Sequence, residues 1–219
     1  MKLTVTLSIF LIAFFLYSCG GDKKSSAIDD IKNAVESAKD ATESIEKVED
    51  AMTKAQKKWE ERKAAGDTLA LHFTELQKFL PDEVPGYTAE KPQGETLNLM
   101  GFSSSQASRR YIKEVNGKKE IVKVTIHDFN SNQIGFSGAT TWLAGNFSYE
   151  NDNEYTRSFD VGVEDCYGHE QYDKRNRHAE VMIAVGYRFL VDIEAENQDG
   201  TDVVKSFVKY IDIEKLANM

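Results

Sequence analysis

Cysteine is scarce in this chain: there are two, Cys19 and Cys166, among 219 residues. A pair cannot make a disulfide framework, so an apolar core has to hold the fold. Long apolar runs are scarce too. After residue 16 none approaches the roughly 20 residues that a helix needs to cross a bilayer. Basic charge is in deficit, with 27 Lys and Arg against 36 Asp and Glu and a net charge of −9. That balance disfavours nucleic acid, because phosphate neutralisation needs clustered Lys and Arg. Catalytic motifs are missing as well. Gly135-Phe136-Ser137-Gly138 has the wrong spacing for a nucleophile elbow, and no phosphate-binding glycine loop occurs. His169-Glu170 opens a zinc-protease pattern, but position 173 is Asp. His178-Ala179-Glu180 opens a deaminase pattern that no Pro-Cys-x-x-Cys completes.

The first eighteen residues read as targeting information. Lys2 is their only charge, and Leu3 to Leu16 are apolar apart from Thr4, Thr6 and Ser8. This is the length of a signal-peptide apolar region. The run ends in Leu16-Tyr17-Ser18-Cys19, then Gly20 and Gly21. That ending resembles the lipobox of bacterial lipoproteins, with Tyr17 bulkier than the usual small residue. The resemblance implies a diacylglyceryl group on the Cys19 thiol and cleavage just before it. It also implies a lipid-anchored envelope protein. Gly20, where Asp favours inner-membrane retention, points to the outer membrane.

Four segments follow: a signal peptide at 1–18, a lipidated tether at 19–26, a stalk helix at 27–66 and a globular domain at 67–219. The stalk has Ser26 as a cap with Asp29 three residues on, and Gly66 just past its end. No Pro or Gly interrupts it. Acids dominate its first half and bases its second, which suits the helix dipole. Its apolar stripe is Ile28, Ile31, Val35, Ala38, Ile45, Met52 and Trp59, spaced by threes and fours. Thr42, Glu49 and Gln56 interrupt that seam. A solvated spacer of roughly 60 Å is therefore expected, with self-association through residues 28–59 as the competing reading.

Residues 67–219 read as class α+β, an antiparallel sheet with helices packed on one face. A helix is expected from Asp67 or Thr68 to Leu80, stopped by Pro81 and Pro85-Gly86. Strands are expected at Thr96–Ser104, Ser108–Val115 and Ile121–Phe129, the last two joined by Asn116-Gly117. A helix is expected around Trp142. Further strands are expected at Tyr155–Val163, Asp165–Tyr172, His178–Val185 and Arg188–Glu196. The last two form a hairpin around Gly186 with a three-residue loop, which keeps both apolar sets on one face. Thr201 caps a final helix. Leu80-Pro81, Pro85-Gly86-Tyr87, Gly101-Phe102-Ser103 and Tyr111 together resemble uncharacterised exported bacterial proteins, a resemblance that carries no named activity.

Three candidate sites remain. If Asp173 to Asn176 turn the chain, His169 faces Glu180 beside His178, and two imidazoles with a carboxylate can ligate zinc. The competing reading is a polar, solvated sheet face, with no metal and no cofactor. Cys166 falls on the opposite face and reads as a buried apolar thiol. His127 shares its strand face with Lys123, which repels a cation. Asp67-Thr68-Leu69 resembles the short acceptor motif for O-linked glycans in Bacteroidetes-type exported proteins, which would make Thr68 the acceptor. Missing motifs favour a non-enzymatic module that binds an envelope protein or a small ligand. A cryptic metal-dependent enzyme is the alternative.

Overall fold

A computed structural model describes residues 26–100, 102–115 and 117–219, with side chains from residue 42 onward except Lys118. Cys19, the signal segment and the first part of the heptad stripe fall outside the described side chains. The chain divides between residues 39 and 40, and Asp40 to Met219 form one unit.

Helix α1 (Ser26–Ala64) ends as its sequence demands. Gly66 takes a left-handed φ of +81°. The Asp67 N–H reaches back to the Arg62 carbonyl at 2.9 Å, and the Gly66 N–H to Lys63 at 3.1 Å. These two bonds satisfy carbonyls that the helix end leaves open.

A nine-stranded antiparallel sheet makes up most of the unit, in the order β1-β3-β4-β9-β8-β7-β6-β5, with β2 also on β3. The strands are β1 (Thr88–Ala89), β2 (Gln93–Leu99), β3 (Phe102–Val115), β4 (Lys118–Asp128) and β5 (Ser148–Glu150), then β6 (Glu154–Phe159), β7 (Cys166–Asp173), β8 (His178–Val185) and β9 (Phe189–Ala195). The unit is therefore α+β. The expected hairpin around Gly186 is present, with Val185 opposite Phe189 and three residues between them. Gly186 is needed there. Its φ is +59°, and a Cβ would stand 2.8 Å from the Ala217 carbonyl oxygen.

Helices cover both faces of the sheet, not one. On the first face Val122, Val124, Ile126, Val181, Ile183, Val191 and Ile193 pack against α2 (Phe73–Leu76), α4 (Asp202–Val208) and α5 (Ile213–Ala217), through Leu76, Phe207 and Leu216 among others. On the second face Ala184, Met182 and Leu190 meet Ala51 and Ala55 of α1, and Phe136, Leu143 and Ala144 from α3 (Gln133–Thr140) and its 3-10 extension. The one-faced expectation followed the strict alternation of β8 and β9. Met182, Ala184 and Leu190, which sit between those apolar residues, are themselves apolar and hold a second layer.

Two further expectations are corrected. The helix after Asp67 is only Phe73–Leu76 with a 3-10 turn, Gln77–Phe79. Side chains from the sheet capture the backbone ahead of it. The N–H of Ala70 donates to Ser103 Oγ, that of Leu71 to Asp128 Oδ2 and that of Phe73 to Thr96 Oγ1, at 2.8–2.9 Å. Those donors are not free for helix bonds. The strand expected at Thr96–Ser104 is instead the tip of a hairpin: Leu99 pairs with Phe102, and Met100 turns the chain with a φ of +50°. Met is not a turn residue for that region, so the signal was hidden.

The expected boundary at residues 66 and 67 falls inside the compact unit. Ala51 and Ala55 are buried. Arg62 donates to Asn130 Oδ1 at 2.8 Å and to the Tyr187 carbonyl at 3.2 Å. These contacts lie on a helix side that the heptad stripe does not include, and small Ala residues gave it little apolar signal.

Candidate functional site

A concave feature with mostly apolar walls lies between the second half of α1 and the α3 region. Ser44, Ile45, Val48 and Glu49 form one wall. Ser137, Gly138, Thr141, Trp142, Gly145 and Phe147 form the other, around a space of about 640 Å³. Ser44 Oγ donates to the Asn146 carbonyl at 3.1 Å and pins one end. Ile45 is 60 % exposed, and Trp142 and Phe147 are each more than a third exposed. The Trp142 indole N–H donates to the Ala139 carbonyl at 2.9 Å, so its ring presents apolar surface without an unmet donor.

His169, one of the residues singled out in the sequence, is the floor behind these rings. Its ring centroid lies 4.8 Å from that of Trp142 and 4.6 Å from that of Phe147. It is fully buried. Burial pushes its pKa below the usual imidazole value, and the Gly145 carbonyl opposes that in part. It is therefore neutral at pH 7. His169 Nε2 is 2.9 Å from Ser158 Oγ and 3.4 Å from the Gly145 carbonyl oxygen. Ser158 donates its own hydrogen to the Gly145 or Phe147 carbonyl, at 3.0 or 3.2 Å. A hydroxyl hydrogen on a carbonyl and the approach of Nε2 to the Gly145 carbonyl both suit the tautomer with its proton on Nε2, in which the imidazole donates to Ser158. His169 Nδ1 has no partner among the described residues, so no third group orients the ring as nucleophilic catalysis requires. The pair is a buried brace under the groove.

The proposed histidine cluster is not assembled. His169 faces Met182, His178 faces Asp173, and Glu180 lies between Gln171 and Glu194. All three project on the second face, but the register differs by two from the expected one. Asp173 still pairs with His178, because its Oδ1 accepts the N–H groups of Arg175 and Asn176, and Arg177 enters the loop at a φ of +54°. The turn is thereby residues 174–177. Among the described residues no group of three or more His, Cys, Asp or Glu gathers as a metal site. His127 is held below the usual imidazole pKa by burial and then by Lys123.

A carboxylate array on the same face escaped the sequence reading. Glu180 stands opposite Glu194, and Glu194 pairs with Lys123 at 2.8 Å. Glu180 and Asp192 are diagonal neighbours on this face, and Asp192 Oδ1 is buried with no hydrogen-bond partner among the described residues. Burial, and then the Glu180 charge, push Asp192 up to about 7. Burial also raises Glu180. The only sequence signal was acidic residues alternating with Val191 and Ile193 in a strand that reads as central.

Cys166 lies on the other face, paired with Val185, and burial raises its thiol to about 11. Thr68 is exposed. Its neighbour Asp67 is engaged by Arg188 Nη1 at 2.9 Å and by Asn130 at 2.8 Å.

Comparison with protein-family models, with curated proteins and with solved structures returns no match.

Proposed function

We propose that this chain is an envelope lipoprotein, held to a membrane by lipid on Cys19, whose globular unit binds a protein or small ligand without catalysing a reaction. The first part of α1 serves as the arm that sets the unit's reach from its anchor. The outer membrane is the favoured location, from Gly20. The observation that supports binding is the groove lined by Ile45, Val48, Trp142 and Phe147, of which Ile45, Trp142 and Phe147 are left exposed in a chain of low mean hydropathy (−0.48). Exposed apolar patches of this kind mark interaction sites. A photo-crosslinking residue in place of Trp142, in the intact lipoprotein in its own envelope, should give one defined adduct that Ile45→Lys removes. If position 142 gives the same adducts as position 68, the groove reading fails.

One observation favours a second reading, self-association through residues 28–59. Ile45 and Met52 stand seven residues apart and are 60 % and 50 % exposed, a heptad step. Sedimentation equilibrium of the mature chain should then show a dimer that Met52→Lys weakens. A monomer at all concentrations would remove this reading.

A further inference from the structure

Helix α3 and the turn after it are apolar on both sides. Phe136, Thr140 and Leu143 point into the core. On the opposite ridge, four residues apart, Ile134, Gly138 and Trp142 are exposed, Ile134 at 89 %. A surface helix ordinarily places charged and polar residues on that side. Here no charged residue occurs from Phe129 through Tyr149, in a chain that is 29 % charged.

The β2–β3 hairpin tip adjoins this helix. Ser131, just ahead of α3, is hydrogen-bonded to both the N–H and the carbonyl of Ser103. The hairpin is also free of charge, from Thr96 through Ser108. Leu99 and Phe102 are exposed at its end, and Met100 at the apex is 99 % exposed. The left-handed φ of Met100 is unfavourable for a large side chain, where Asn or Gly would serve. At that exposure the Met100 side chain packs on nothing among the described residues.

We propose that this charge-free ridge and tip form a membrane-interface surface, taken into the headgroup region of a zwitterionic bilayer. The inference rests on the lipoprotein reading, which keeps the unit tethered within reach of a bilayer, and it concerns the outward ridge and tip beside the groove rather than the groove's own ligand. Ser, Asn and Gln between the apolar residues suit the interface, where charge is costly to desolvate. The Trp142 N–H is already bonded, and Trp favours the interface in any case. Side chains on a ridge and a separate tip need no matching shape in a fluid bilayer, whereas a protein partner would have to supply one. Glu49 lines the groove, Glu150 at the far end is met by Arg157 and Lys174, and the chain as a whole carries a net charge of −9. Anionic lipid is therefore repelled.

The test uses the mature lipidated protein with Trp59→Phe, so that Trp142 is the single tryptophan, reconstituted in phosphatidylcholine vesicles. Trp142 emission should shift to the blue and be quenched by bromines on the lipid acyl chains. The quenching should fall as anionic lipid is added. Ile134→Glu with Met100→Glu, both at exposed positions, should abolish the quenching and leave the circular dichroism spectrum unchanged. Water-like emission quenched by iodide on these vesicles overturns the proposal. If Trp142 is water-like on pure lipid but shielded in native envelope membranes, the lipid inference fails and the groove still binds a protein. If it is water-like in both, both readings fail.

Discussion

Arg188 and Asp128 form a two-pronged ion pair that is almost wholly buried. Arg188 Nε reaches Asp128 Oδ1 at 3.0 Å, and Nη2 reaches Oδ2 at 2.8 Å. Their side chains are 3 % and 0 % exposed. Asp67, just past α1, joins through Arg188 Nη1, and Asn130 links Asp67 to Arg62. Removing one partner of such a pair strands a buried charge, at a cost of about 3–5 kcal/mol. Arg188→Met should therefore lower the melting temperature sharply. The double variant Arg188→Met, Asp128→Leu should recover part of the loss. Thermal unfolding followed by circular dichroism checks both. A single variant that melts like the parent would show that the network contributes nothing.

The second half of α1 is a structural part of the unit. Ala51 and Ala55 are 5 % exposed, and Arg62 is bonded to Asn130 and Tyr187. A fragment of residues 67–219 should melt well below a fragment of residues 40–219. Ala55→Glu should destabilise the longer fragment by several kcal/mol, since it buries an unpaired charge, and should bring its melting down towards that of the shorter one. Equal melting of the two fragments would return α1 to the status of a free rod.

Regular elements with strong periodicity were legible in the sequence: the Gly66 stop of α1, the antiparallel pairing of β3 with β4, the hairpin around Gly186, and strands β7 to β9. What was not legible came from contacts across the chain. Ala51 and Ala55 carry no hydrophobic signal until a sheet is placed against them. Residues 67–72 have helix-forming side chains, yet Ser103 and Asp128 take their N–H groups. The turn at Met100 lacks turn chemistry. In the site, His169 was marked for the wrong reason. Its register depends on one left-handed residue, Arg177, and its aromatic roof comes from Trp142 and Phe147, which lie on another element.

Cys19→Ala bears on the anchor. A thiol is the only group at that position that can accept the diacylglyceryl chains, and two or more chains are needed for stable anchoring. The variant should remain unprocessed or be released, and it should leave the detergent phase on partitioning. Ser18→Ala keeps a small residue before the cysteine and should process normally. Unchanged partitioning of Cys19→Ala would remove the lipoprotein reading.

The pH dependence of stability turns on Asp192. Its folded pKa is pushed up to about 7, first by burial and then by Glu180, whereas an unfolded aspartate titrates near 3.9. Between those values the folded state holds a proton that the unfolded state has released. Stability then falls as pH rises, because the unfolded state binds fewer protons. The contribution is fully present below about pH 4 and is lost as pH climbs through 7. At full ionisation the loss is on the order of 4 kcal/mol. Lys123, Glu194 and Glu180 all face this group, so Glu180 shares the proton and the two carboxyls titrate as a pair. Asp192→Asn keeps the shape and cannot ionise. It should melt close to the parent at pH 4 and higher than the parent at pH 8. Parallel melting curves for parent and variant from pH 5 to pH 8 would show that Asp192 is ionised throughout, with its charge met by Lys123.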